Sequence, residues 1–143
     1  MATVRDPVVV PGDVPSLELV TRYVLSVVDG LLTPPAVYRM RLAADEVATN
    51  IVTHGYAEND RTGVLEVDGG ADGDRVWIRF RDSAPPFDPR DRCHAPDLAV
   101  PLARRPVGGL GLHLVFTMLD DFEYEREGDR NRNTLIMRRD PAR

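Results

Sequence analysis

The fold this sequence predicts is an α+β two-layer sandwich, with about three helices on one face of a mixed, largely antiparallel sheet. Three observations predict it. Two early segments place apolar residues at helical spacing, Arg75–Arg81 alternates strictly between apolar and polar, and the last third reads as a helix followed by a hairpin. The 143 residues, 43% hydrophobic and 29% charged, suit a single domain over 1–143. A chain of that size buries roughly two-thirds of its unfolded surface.

The elements follow in order. Val8 to Val10 is a short strand closed by Pro11-Gly12. Ser16 is an N-cap for a helix to about Leu32, with Leu17, Val20, Val24, Val27, Val28 and Leu31 on its apolar side. Thr33 caps a second helix with Pro34 in its first turn; Val37, Met40, Ala44, Val47 and Ile51 form its stripe, and Gly55 ends it. Val64–Val67 is a strand, Asp68–Gly73 a turn-rich link, and Arg75–Arg81 a strand with Val76, Ile78 and Phe80 facing a core. Residues 82–109 are rich in proline and lack periodicity, and a loop of that length inside a small domain is usually functional or disordered. A helix resumes over Gly111–Leu119, and Phe122–Glu125 pairs with Thr134–Arg138 around Gly128–Asn133.

Composition excludes several chemistries. The net charge of −5 argues against a nucleic-acid binder held by phosphate neutralisation. No apolar run approaches the roughly 20 residues that span a bilayer, and the first residues lack a signal-peptide pattern, so a cytoplasmic protein with no membrane contact is expected. All 18 basic residues are arginines. Without lysine there is neither a Walker P-loop nor the strand lysine of an ordinary protein kinase, and no Schiff-base chemistry. The lone Cys93 has no internal disulfide partner, and Cys93-His94 has no second cluster at zinc spacing.

Three constellations carry chemistry. Glu46, Asn50 and His54, four apart, stack along one side of the second helix, on the border of its apolar stripe. Glu46 has the chemistry of a general base and Asn50 offers a hard oxygen suited to Mg²⁺; the same row also fits a solvated helix flank. His54 closes the helix, where a positive charge suits the C-terminal dipole. Asp82 follows a strand and precedes a rigid turn, where it can accept a hydrogen bond from a ligand amine, although Asp-Ser-Ala-Pro-Pro also serves a turn for local reasons. Gly108, Gly109, Leu110 and Gly111 open a helix with backbone N–H groups that an anion can approach; glycines also simply ease a loop into a helix.

In chain order these read E-x-x-x-N-x-x-x-H, then D-S-A-P-P-F-D-P, then G-G-L-G-L-H-L followed by Asp120. The chain thereby resembles the Bergerat, or GHKL, ATP-binding fold, and within it the stand-alone serine kinases that act as bacterial anti-sigma factors. The resemblance covers nearly the whole chain and is strongest over Asp45–Tyr56, Pro86–Pro89 and Gly108–Leu114. It implies ATP and Mg²⁺ as cofactors, with Asn50 on the metal and Asp82 on the adenine amino group. Ala84, Phe87, Leu112 and Thr134 would lie around the nucleotide, and Gly108, Gly109, Leu110 and Gly111 would meet the phosphates. Glu46 would take the proton from a serine hydroxyl on an anti-anti-sigma partner of the STAS type. The resemblance further implies a homodimer that holds a sigma factor, with Arg22 as a partner contact; an exposed helix arginine accounts for Arg22 equally well.

The family's aspartate box reads D-x-G, and here it is Asp82-Ser83-Ala84. Where such a turn takes a positive φ at its third residue, a methyl group strains it and weakens adenine binding. The segment from Asp88 to Gly108 is short, with Arg90, Arg92, Arg104 and Arg105 able to reach phosphates or a partner, or simply to keep a loop soluble. A non-catalytic ATP-binding module that holds a regulatory partner is the alternative function. A histidine-kinase catalytic domain is less favoured, because no helix with an acceptor histidine stands ahead of residue 16.

Overall fold

A computed structural model describes residues 2–92 and 110–139. Six strands are formed: β1 (Thr3–Val4), β2 (Val8–Pro11), β3 (Val64–Ala71), β4 (Arg75–Asp82), β5 (Asp121–Glu127) and β6 (Arg130–Arg138). They lie in the order β1-β3-β4-β6-β5, and β2 shares the outer edge of β3 with β1. Every described pairing is antiparallel. Three helices, α1 (Leu17–Val28), α2 (Pro34–Asn50) and α3 (Leu110–Met118), complete the α+β sandwich.

The helical spacings become a core as expected. Val20, Val24, Val27 and Val28 of α1, with Met40, Ala44, Val47 and Ile51 from α2 and the turn after it, are buried against Val76, Ile78, Phe80, Leu135 and Met137 of the sheet. Thr33 caps α2 through its hydroxyl, which accepts from the Ala36 N–H. Thr21 Oγ1 donates to Asp45 Oδ1 at 2.7 Å, tying α1 to α2.

Several boundaries differ from the sequence expectation. Ser16 does not cap α1: Asp13 accepts from the Ser16 N–H and hydroxyl, capping a single 3₁₀ turn (Val14–Ser16) that runs into the helix. The chain leaves α1 at Asp29, and Gly30 takes a φ of +74°, so Leu31 and Leu32 lie beyond the helix. Beyond Asn50 the chain coils on through a π-helical turn (Ile51–Tyr56) and a 3₁₀ turn (Ala57–Asn59), past Gly55.

Asp68–Gly70 belong to β3, so the link to β4 is shorter than expected. Close packing explains those glycines. A Cβ on Gly70 would stand 2.5 Å from the Thr3 carbonyl oxygen and 2.7 Å from the Trp77 ring. The last hairpin turns at Gly128-Asp129 alone, with Gly128 at φ +60°. Asn131 and Asn133, expected in that turn, are β6 residues and are buried.

One geometric fact places the site. Alternation on β4 carries the inward row Val76, Ile78, Phe80 on to Asp82, and on β6 the row Met137, Leu135 continues to Asn133 and Asn131. The helix-covered face of the sheet is thus apolar at one end and polar at the other. The opposite face carries ion pairs, among them Arg81 with Asp68, Glu66 and Glu127, and Arg132 with Glu125 and Glu127.

Candidate nucleotide site

At the polar end the Asp82 carboxylate is buried, 3% exposed. Its Oδ1 accepts from the Ala84 N–H at 3.0 Å and from Asn131 Nδ2 at 2.9 Å. Oδ2 has no hydrogen-bond partner among the described residues. Burial pushes the Asp82 carboxyl above the usual carboxylate range, while the Asn131 amide, the Ala84 N–H and the charges of Arg126 and Arg130 pull it back. A carboxylate with one oxygen fixed and the other free is a directed acceptor, suited to a neutral ligand donor such as an amino group.

Asn131 is the hub that sequence reading missed. Its Nδ2 also donates to the carbonyls of Ala84 (3.2 Å) and Pro85 (3.0 Å), and its Oδ1 accepts from the Phe87 N–H, Tyr124 Oη and Arg126 Nη1. Arg126 Nη1 also reaches the Ala84 carbonyl at 2.9 Å. β5 and β6 therefore hold the 82–87 segment in place. An Asn-rich stretch beside a glycine reads as a turn, so nothing local in the sequence marks this residue.

The alanine in the aspartate box is accommodated. Among the described non-glycine residues only Asp60 has a positive φ, so Ala84 does not occupy the left-handed region. Its methyl is buried against the turn that follows α2, where a Cβ on Gly55 would lie 3.1 Å from Ala84 Cβ. The same contact brings that turn over the Asp82 segment. Asn50 lies five residues earlier, about 7–8 Å along the coil axis.

On α2, Asn50 is buried and its carboxamide makes no hydrogen bond among the described residues. Neither amide atom is among the fully buried unpartnered side-chain atoms of the described residues, so the carboxamide is left open to a ligand. Its oxygen is a donor type that fits Mg²⁺. Glu46, one turn earlier, is exposed and likewise unpaired among the described residues. The row is therefore not uniform: Glu46 projects to solvent, Asn50 inward, and His54 turns aside to meet Glu58 at 2.7 Å.

The remaining expectations divide. Leu112 is buried in α3, and Leu110 and Gly111 form its first turn. Phe87 is half-buried beside Asn131 and Tyr124. Thr134 does not join Asp82: alternation turns it to the opposite face of the sheet, where it accepts from Arg79 Nε at 3.3 Å. Its neighbour Asn133 faces the helices, 1% exposed, and its buried Oδ1 has no partner among the described residues. Arg22 is exposed and pairs with Glu18 on its own helix at 2.9 Å. Cys93, His94, Arg104, Arg105, Gly108 and Gly109 lie outside the described residues.

A helix-covered antiparallel sheet ending in a buried aspartate, with an unpaired asparagine on the covering helix, belongs to a known class. A family model described as the histidine kinase-like ATPase domain matches residues 10–139, and the chain belongs to that family. More particularly, it is similar to curated proteins named serine-protein kinase RsbW. The protein of Bacillus cereus strain AH187 is 34% identical over 87 residues, covering 59% of this chain and 53% of that protein. For Bacillus thuringiensis subsp. konkukian the identity is 36%, and for Bacillus anthracis it is 33%, with the same coverage. The chain spans about half the length of the curated relatives it matches. No described helix is long and apolar enough to cross a membrane.

Proposed function

We propose that this chain is an ATP-dependent serine protein kinase of the anti-sigma factor type. It phosphorylates a serine on a STAS-type anti-anti-sigma partner and, as a homodimer, holds a sigma factor. One observation carries the reading: Asp82 and Asn50 are largely buried residues whose Oδ2 and carboxamide are both unpaired among the described residues, while Glu46 stands exposed one turn before Asn50. Similarity to proteins named as serine-protein kinases supports the same activity.

In this reading Asp82 Oδ2 accepts from the adenine amino group, with Ala84 and Phe87 walling the base. The β6 residue on the adenine side is Asn133, in place of Thr134. Asn50 would hold Mg²⁺, which when bound neutralises phosphate charge. The N–H groups of Gly108, Gly109, Leu110 and Gly111 would receive the phosphates in place of a lysine, and Leu112 would lie near the nucleotide. Glu46 accepts the proton of the attacking serine hydroxyl. Phosphoryl transfer needs mainly positioning and charge stabilisation, so this set suffices without lysine.

The test is transfer of labelled phosphate from ATP to a STAS-domain serine, compared between wild type and Glu46→Gln. Transfer lost in the variant, with ATP binding retained, supports the kinase. Wild-type protein that binds ATP and the partner without transferring phosphate would leave the non-catalytic regulatory module.

A further inference from the structure

Tyr56 is used by nothing in the proposed chemistry, yet three other segments converge on it. It ends the π-helical turn that prolongs α2, and it is 2% exposed. Its hydroxyl donates to the Val64 carbonyl at 2.6 Å and accepts from the Ser83 N–H at 2.9 Å, with Ser83 Oγ 3.3 Å away. The ring lies between two glycines: a Cβ on Gly12 would fall 2.6 Å from it, and one on Gly63 2.7 Å. Those glycines are joined by a backbone hydrogen bond of 2.8 Å from Gly12 N to Gly63 O. Space for this ring is built into the ends of β2 and β3.

The peptide that Tyr56 grips is the one directly after Asp82. Asn131 holds the same segment from the sheet side through side chain and carbonyls, so Tyr56 supplies the hold from the helix side. Tyr56 is also six residues from Asn50 on one continuous coil. The groups assigned to the base and to the metal sit on separate elements, and the Tyr56 hydroxyl links them.

We propose that Tyr56 is a positioning residue for nucleobase recognition: it fixes the Asp82 turn relative to α2, so that selectivity for a 6-amino purine depends on a side chain that does not touch the nucleotide. The proposal rests on the reading of Asp82 as the adenine acceptor. A merely structural tyrosine would lower stability and weaken all nucleotides alike. A positioning tyrosine affects the amino-group contact in particular.

The experiment is calorimetric binding of ATP and of purine riboside triphosphate, which lacks the 6-amino group, to wild type, Tyr56→Phe and Asp82→Asn. Phenylalanine keeps the ring between the glycines, so the variant is expected to fold. Wild type should prefer ATP by about tenfold or more, as a hydrogen bond to a charged group allows. In Tyr56→Phe that preference should collapse toward the Asp82→Asn value while purine riboside triphosphate binds as before. Hydrogen exchange at the Ser83 amide, measured without nucleotide, should accelerate in Tyr56→Phe. Preference retained in Tyr56→Phe, or an unchanged Ser83 amide, overturns the Tyr56 proposal and leaves Asp82 as the acceptor. Wild type that binds both nucleotides equally overturns the reading of Asp82 and the Tyr56 proposal with it.

Discussion

As the proposed adenine acceptor, Asp82 would be buried for binding at a cost in stability. Because burial raises its pKa, the folded state holds that proton more tightly than the unfolded chain does. The associated stability is complete below the ordinary carboxylate range and is lost as pH rises through the raised folded value. Asp82→Asn removes that dependence. Its melting temperature should match wild type in acid and exceed it increasingly as pH rises towards neutrality, while ATP affinity falls by about tenfold to a hundredfold. Melting curves across pH, paired with calorimetry, check both halves; a variant less stable than wild type at neutral pH would contradict the assignment. Ala84→Gly makes the opposite point. With Ala84 outside the left-handed region and its methyl set against Gly55, restoring the family glycine should leave ATP affinity within about threefold and cost about 1 kcal/mol of stability. Asp82 and Asn50 are legible only together: each alone also fits a turn or a solvated helix flank, and the order of the motifs along the chain, with the resemblance it carries, singles them out. Asn131 and Asn133 are not legible, because asparagine beside glycine has the composition of a turn, and only pairing with β4 shows which way each side chain points.

At the scale of elements, the β5–β6 hairpin connects local turn chemistry to the site. Gly128 takes the positive φ at the first position of a two-residue turn, and a Cβ there would meet nothing within 4 Å. Gly128→Ala should therefore cost about 1 kcal/mol through backbone strain alone and leave nucleotide affinity unchanged, as denaturant melts and calorimetry would read. Asn131→Ala differs because it deletes the hub between β6 and the 82–87 segment. Several buried partners lose their hydrogen bonds at once, so about 2–4 kcal/mol of stability should go, together with most of the ATP affinity. Equal effects of the two substitutions on ATP binding would show that the hairpin does not hold the site. The helices and the Arg75–Arg81 strand were legible from periodicity, since one face of each meets a continuous core. Their ends were not. The cap before α1 depends on an aspartate one turn upstream, and the length of β3 depends on glycines required by Thr3 and Trp77.

For the whole molecule, the proposed nucleotide binding would be linked to folding, because a site assembled from α2, β4 and β6 exists only in the folded chain. Magnesium and ATP at about a hundred times the dissociation constant should stabilise the fold by about 2.7 kcal/mol, or roughly 8 °C for a domain of this size. Asn50→Ala should lose the magnesium-dependent part of that rise. A rise of equal size with and without magnesium in wild type would remove Asn50 from the metal.

The sequence by itself determined the class of fold, the absence of lysine-based phosphate chemistry, and the residues Glu46, Asn50 and Asp82 as the ones with chemistry to explain. Those follow from period, composition and side-chain type, which are local properties. Tertiary structure decided that Asn133 and not Thr134 shares the face of Asp82, that Ala84 fits its turn, and that Asn131 and Tyr56 grip that turn from opposite sides. These depend on strand register and on which backbones approach within contact distance. Register shifts by one residue exchange the two faces of a strand, so no single segment carries that information until its neighbours are in place.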